Sequence, residues 1–439
     1  MAVTEAPTAT AGSTEEQAPR SFAGMLRATE IDTRLLGMLA ALAVIWIGFQ
    51  IWSGGTFLTP RNLWNLSVQT SAVAIMATGM VLVIVSRNID LSVGSMLAVV
   101  GMAMALLQAE ILPDWLGFDH PLTWVIALAA GIALGAVLGA FQGFVVAYAG
   151  VPSFIVTLGG LLVWRGVAWA MASGRTIAPM DSTFQLLGGG SRGNIGGLWS
   201  WVVGLVACAG IVGLLINGRR KRRTFGFAMR PRWAEIAIGA IGCGVVLLAV
   251  FYLNRYNLPE QVARERFTAA GKEFPAGGAS IPFGLANPVL IAMGVLLVMT
   301  FIATRVRFGR YVFAIGGNPE AAELGGIKTK TTIVKAFTLM GVLVAIGAAV
   351  QVARLNAAVS GLGTLTELYV IAAAVIGGTS LAGGVGTIPG AILGALVMQS
   401  LQSGMVLVGV DAPLQDIAVG VVLVVAVAID SIYRRRASS

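Results

Sequence analysis

The residues able to do chemistry in this chain are sparse, and most of them interrupt apolar runs. Asn88, Asp90 and Ser92 lie together between two such runs, while Gln142, Thr157, Arg165, Gln351 and Gln399 fall within or near others. Thr379 and Ser380 sit in a glycine-rich break, Gly377-Gly378-Thr379-Ser380-Leu381-Ala382-Gly383-Gly384. Amides, hydroxyls and isolated charges in such places face a bundle interior or a solute path. For Asn88 and Asp90 two readings stand: a satisfied turn in which Asp90 and Ser92 cap the next helix, or a kinked element lining a path. Arg165 either snorkels to the outer interface or takes part in passage. Glu367 is either a helix-start acid or a docking contact.

Several chemistries are excluded. The single histidine, His120, lies in a short polar loop, so no histidine-based catalytic or metal cluster is possible. No G-x-x-x-x-G-K-[ST] phosphate cradle occurs: Gly325-Gly326-Ile327-Lys328-Thr329 has the wrong spacing, and Gly271-Lys272 is followed by Glu273. There is no Ser/His/Asp set, no H-E-x-x-H and no paired carboxylate within apolar runs to relay protons. Cys208 and Cys243 lie in separate apolar runs and read as small packing residues, not as a disulfide framework or zinc site. Neither a catalytic residue nor a metal ligand is expected.

What positions these groups is a membrane. The 439 residues are 57% hydrophobic and only 11% charged, with a mean hydropathy of +0.85; soluble domains carry about 25% charged residues. The net charge of +9 is concentrated in short Lys/Arg runs beside apolar segments, which reads as membrane topology and not as a nucleic-acid groove. Residues 1–30 have no apolar face and read as a disordered cytoplasmic tail, and they lack the short apolar core of a signal peptide. Residues 31–439 then form an all-α, polytopic membrane domain. Apolar runs of spanning length cover about 35–53, 68–86, 92–112, 122–148, 153–173, 198–217, 234–253, 287–304, 333–353, 368–382, 387–407 and 414–433. The count is about twelve, with a range of ten to twelve because the glycine-rich break falls between 368–382 and 387–407. The basic clusters Arg219 to Arg223, Arg305 to Lys330 and Arg434 to Arg436 fall on one side with both termini, and that side is expected to be cytoplasmic. Residues 254–286 form a long loop on the opposite, periplasmic side.

The loop at 305–332 carries a helix of its own. Asn318 suits an N-cap, Pro319 the first helical position and Glu320 the positive helix start, with Ala321 and Ala322 following. Gly325 and Gly326 stop it. A helix broken inside the bilayer and a structured loop outside it together imply a transport subunit driven from outside itself. Residues 89–101 and 379–387 share a Leu/Ser/Gly rhythm, readable either as a transporter repeat or as small-residue packing.

Four stretches then carry a resemblance: Ile89-Asp90-Leu91-Ser92-Val93-Gly94-Ser95; Val151 to Gly159 with Trp164-Arg165-Gly166; Ala314-Ile315-Gly316-Gly317-Asn318-Pro319-Glu320-Ala321-Ala322; and Val375 to Gly386. In order and spacing the chain resembles the bacterial ABC importer permeases for sugars, the family of the ribose, arabinose, galactose and xylose permeases. Its long middle region, with the basic 218–232 loop, is most similar to the xylose type. The resemblance implies a multi-pass protein of the bacterial inner membrane that pairs with a second copy of itself and moves a monosaccharide. It further implies a cytoplasmic ATPase, which carries the ATP and magnesium, and a periplasmic sugar-binding protein. Within this implied role, 314–327 with Asn318, Pro319, Glu320, Ala321, Ala322, Gly325 and Gly326 couples to the ATPase. Asn88, Asp90, Ser92, Gln142, Thr157, Arg165, Thr379 and Ser380 border the solute path. No cofactor is expected in this chain itself. Two other classes remain open: an ion-coupled secondary sugar transporter, for which only Asp90 and Glu367 are candidate acids, and a structural or receptor-like membrane protein.

Overall fold

A computed structural model describes residues 33–269, 271–275 and 278–438; the expected tail at 1–30 lies outside them. Among the described residues every element is helical, and ten helices are long and apolar enough to cross a membrane. In chain order these are α1 (Thr33–Trp52), α2 (Pro60–Val85), α3 (Val93–Leu116, with a π-turn at Leu107–Ile111), α4 (Thr123–Tyr148), α5 (Ser153–Ala172), α6 (Gly196–Thr224) and α7 (Arg232–Leu253). After a short helix α8 (Glu260–Ala269) come α9 (Asn287–Arg305), the two loop helices α10 (Arg307–Gly317) and α11 (Pro319–Leu324), and α12 (Thr329–Leu355). The chain closes with α13 (Thr366–Ile376), α14 (Ile388–Leu407) and α15 (Ala412–Ser438). The fold is an all-α polytopic membrane protein, as expected.

Two expectations need correction. The run at 368–382 is not a full span: α13 has 11 residues, about 16 Å at 1.5 Å per residue, against a hydrocarbon core of about 30 Å. Glycines at 377, 378, 383 and 384 end it early, three of them at positive φ. The last run, at 414–433, lies within the 27-residue α15. The described residues therefore hold ten helices long and apolar enough to span, together with the short α13 and the 27-residue α15, within the expected ten to twelve. In addition, the 305–332 loop is mostly helical, because α10 precedes the expected helix.

The described chain divides into two compact units. The smaller contains Val206–Val246, the facing ends of α6 and α7 with the turn between them. There Arg219 pairs with Glu235, and each of the free thiols Cys208 and Cys243 lies 3.8 Å from the other's carbonyl oxygen. They pack the helix pair, as the sequence indicated.

The larger unit contains Arg34–Leu205 and Leu247 onward. Its centre is α2, almost wholly buried from Leu66 to Val85, against which α9, α12, α13 and α14 pack. Helices α4 and α12 approach most closely. Gly131, Gly135, Gly139 and Gly143 recur every four residues on one face of α4, and a side chain at Gly135 or Gly139 would collide with the carbonyl oxygen of Gly341 or Phe337. In lipid, where apolar burial drives little association, such backbone-to-backbone approach supplies packing energy.

Candidate functional site

The half-length helix α13 is flanked on both sides by irregular backbone, residues 356–365 and 377–387. Such backbone survives in a bilayer only where the protein satisfies it, and named groups do so. On the first side, Arg165 Nη1 donates to the carbonyl oxygens of Ser360 (2.9 Å) and Leu362 (2.7 Å). Ile177 and Ala358 exchange backbone hydrogen bonds beside them. On the second side, the Gly384 amide donates to Val85 O at 3.0 Å. Arg165 is thus occupied with holding the 356–365 segment.

The end of α2 is built for the same junction. Arg87 N donates to Ile84 O and Asn88 N to Val83 O, a Schellman arrangement that places Arg87 at the left-handed position, φ 64°. Glycine is usual there, since a Cβ costs roughly 1–2 kcal/mol in that conformation. The arginine side chain then reaches across: Nε donates to Gly316 O and Nη2 to Gly317 O, both at 2.8 Å. Gly316 packs so tightly on Val85 O and the Gly384 amide that a side chain would collide with both. Residues 85–87, 316–317 and 383–384 therefore meet at one point. Helix α11 starts immediately afterwards, with Asn318 Oδ1 accepting from Ala321 N at 3.0 Å, Pro319 at its first position and Glu320 in its first turn. It stops at Gly325 and Gly326, the latter at φ 81°. Ala322 is buried, whereas Leu324 is 90% exposed.

Next to this junction lies a buried polar knot. Asp90 Oδ1 accepts from the amide and hydroxyl of Ser92 (2.9 and 2.6 Å), and the Ser92 hydroxyl also meets both ends of the Gln142 amide. Gly160 leaves room for this contact; a side chain there would strike Gln142 Nε2. Thr157 Oγ1 donates to Ser153 O and Ile89 O, and Asn88 Nδ2 donates to the Ser86 carbonyl and hydroxyl. Ser92 is the N-cap residue of α3, but neither its side chain nor that of Asp90 accepts from a free helical amide of α3, so the expected capping is corrected to an Asp90–Ser92 turn. Asp90 Oδ2, Glu367 Oε2 and Thr379 Oγ1 are buried without a hydrogen-bond partner among the described residues. Glu367 lies in the first turn of α13 against Gly94 of α3. Ser380 is buried, its amide bonded to Val385 O.

A polar space lies elsewhere. A cavity of about 420 Å³ opens between α2, α12, α13 and α14, with Asn62, Asn65, Gln69, Gln351, Gln399 and Gln402 among its lining residues. None of the eight residues expected on the path lines it. A neighbouring cavity of about 390 Å³, bordered by Ser182, Gln185 and the glycines at 188–190, shares Asn65 and Arg354 with it. Gln399 Nε2 donates to Gln402 Oε1 (2.8 Å) and Gln69 Oε1 (3.3 Å), joining α14 to α2. From Gln69 to Val85 is about 24 Å along α2, so one rigid helix runs from the amide cavity to the Arg87 junction. Sequence reasoning noted Gln351 and Gln399 but missed the rest. The available signal was spacing: Asn62, Asn65 and Gln69 recur at three and four residues, Gln351 and Arg354 at three, and Gln399 and Gln402 at three, which is one helix face each time.

Comparison with known proteins fits this architecture. A family model described as branched-chain amino acid transport system / permease component matches residues 62–185 and 170–427. The xylose transport system permease of Escherichia coli (strain K12) is 37% identical over 406 residues, covering 92% of this chain and 94% of the relative. The chain belongs to this permease family. The xylose transport system permease of Haemophilus influenzae is 36% identical over 94% of this chain and all of its own length. The ribose import permease of E. coli (strain K12) is 31% identical over 85% of this chain and 87% of its own. No solved structure matches the chain.

Proposed function

We propose that this chain is the membrane-spanning permease subunit of an ATP-driven importer in the bacterial inner membrane, carrying a monosaccharide of the pentose class, such as xylose, into the cytoplasm. The observation that carries this is similarity over nearly the full length to permeases named for xylose and ribose. The chain works as a pair, with a separate cytoplasmic ATPase and a periplasmic sugar-binding protein. ATP and magnesium belong to the ATPase, since the sequence holds no phosphate-binding loop. Helix α11 is the part on which the ATPase pushes: a short, capped, glycine-stopped element that ends on the exposed Leu324 and is flanked by cations. The family description names an amino acid, but the relatives that match this chain over 85–94% of its length are named for xylose and ribose.

The direct test is reconstitution. Proteoliposomes holding this chain, its genomic-neighbour ATPase and the accompanying binding protein should take up radiolabelled xylose only with ATP inside. A second reading, ion-coupled transport by this chain alone, is favoured by the carboxylate oxygens of Asp90 and Glu367 near the α3 start, which have no hydrogen-bond partner among the described residues. Uptake driven by an ion gradient without ATPase would establish it and defeat the first.

A further inference from the structure

We propose that the amide-lined cavity at the start of α2 is a station for an uncharged, polyhydroxylated solute, occupied in transit through the protein. This rests on the permease reading above and assigns a site that reading leaves open. Three observations carry it. The first is unused hydrogen-bonding capacity. Gln351 and Asn65 have no side-chain partner among the described residues, and Gln69 and Gln402 use only their carbonyl oxygens, both on Gln399. Four carboxamides therefore present free groups to one space. A sugar hydroxyl both donates and accepts, as a carboxamide does, so each can be matched without regard to orientation.

The second observation is charge. No carboxylate lines the cavity, and its one cation, Arg354, is exposed where the two cavities share a wall. A cationic solute finds no carboxylate there, whereas a neutral polyol brings no charge to be desolvated. The third is size and surface. The volume, about 420 Å³, falls within the range of roughly 300–1,000 Å³ typical of small-molecule sites. Val73, Tyr369 and Leu407 add apolar wall for the C–H faces of a sugar ring. The bond from Gln399 to Gln69 also ties the cavity to α2, whose far end holds the Arg87 junction.

The test uses the complete transporter in proteoliposomes with radiolabelled xylose. Gln351→Leu and Gln399→Leu should each lower ATP-driven uptake at least tenfold at equal membrane abundance and equal ATPase binding. In a chain lacking Cys208 and Cys243, a cysteine introduced as Gln351→Cys should react with a small neutral thiol reagent. Xylose should slow that reaction several-fold during turnover, and valine and xylonate should not. Should the leucine variants fail to accumulate, the cysteine protection decides alone. Uptake at the parental rate in both leucine variants overturns the proposal, as does equal protection by valine or xylonate. A parent complex that moves no sugar defeats the permease reading itself, a separate outcome read in the same vesicles.

Discussion

Arg87 and Gly316, 229 residues apart in sequence, are joined by a 2.8 Å hydrogen bond from the arginine Nε to the glycine carbonyl. A second bond from the same guanidinium reaches Gly317, and Asn318, the cap of α11, follows directly. The arginine occupies a left-handed position where glycine would be unstrained, so its side chain is what that position retains. Two donors fixed in one plane hold the start of α11 against the end of α2 in a way that a single ammonium cannot.

From this, Arg87→Ala is expected to leave membrane insertion and ATPase binding near parental levels but to reduce sugar-stimulated ATP hydrolysis several-fold. Arg87→Lys should recover little of it. Stimulated hydrolysis in reconstituted vesicles is the measurement, and parental stimulation in Arg87→Ala would remove the junction from the coupling path.

Helix α11 itself is six residues long and depends on its ends. Asn318→Ala should cost about 1 kcal/mol of local helix stability, and glycine at both Pro319 and Glu320 on the order of 1 kcal/mol per position. Either change should weaken ATPase binding, measured by co-purification, while the transmembrane helices still insert. Unchanged co-purification and hydrolysis in the double-glycine variant would show that the ATPase engages another surface.

The α4–α12 contact predicts a sharp contrast between two glycines. Gly139→Val drives a side chain into the Phe337 carbonyl, whereas Gly159 on α5 has nothing within 4 Å of a new Cβ. Overpacking costs typically 1–3 kcal/mol. Gly139→Val should therefore lower the thermal midpoint in detergent and the amount in the membrane, and Gly159→Val should do neither. Equal behaviour of the two variants would contradict the backbone-to-backbone packing.

Orientation is open to a labelling experiment. With Cys208 and Cys243 replaced by serine, a cysteine introduced as Thr268→Cys should react with an impermeant maleimide in intact cells, and one introduced as Lys221→Cys should not. The basic run at 219–223 motivates this. Modification at 221 would reverse the assignment of sides.

Much of this protein is set by local chemistry. Apolar length specifies the spans, because hydrocarbon accepts backbone only when it is hydrogen-bonded within its own helix. Asn318, Pro319 and the glycine pair specify α11, because caps and stops act within one turn. The glycines at 377–378 and 383–384 announce a break for the same reason. Tertiary structure alone decided what completes that break: Arg165 on one side of α13 and Val85 on the other are remote in sequence, and nothing in the local pattern names them. It also decided that Asp90, Ser92 and Gln142 bond to one another and Asn88 to Ser86, while amides from α2, α12 and α14 face a cavity. A polar residue in a span must find a partner, and the sequence states that demand. Whether the partner is another side chain or a passing solute depends on which helix faces are brought together, and that is fixed by packing between helices far apart in the chain.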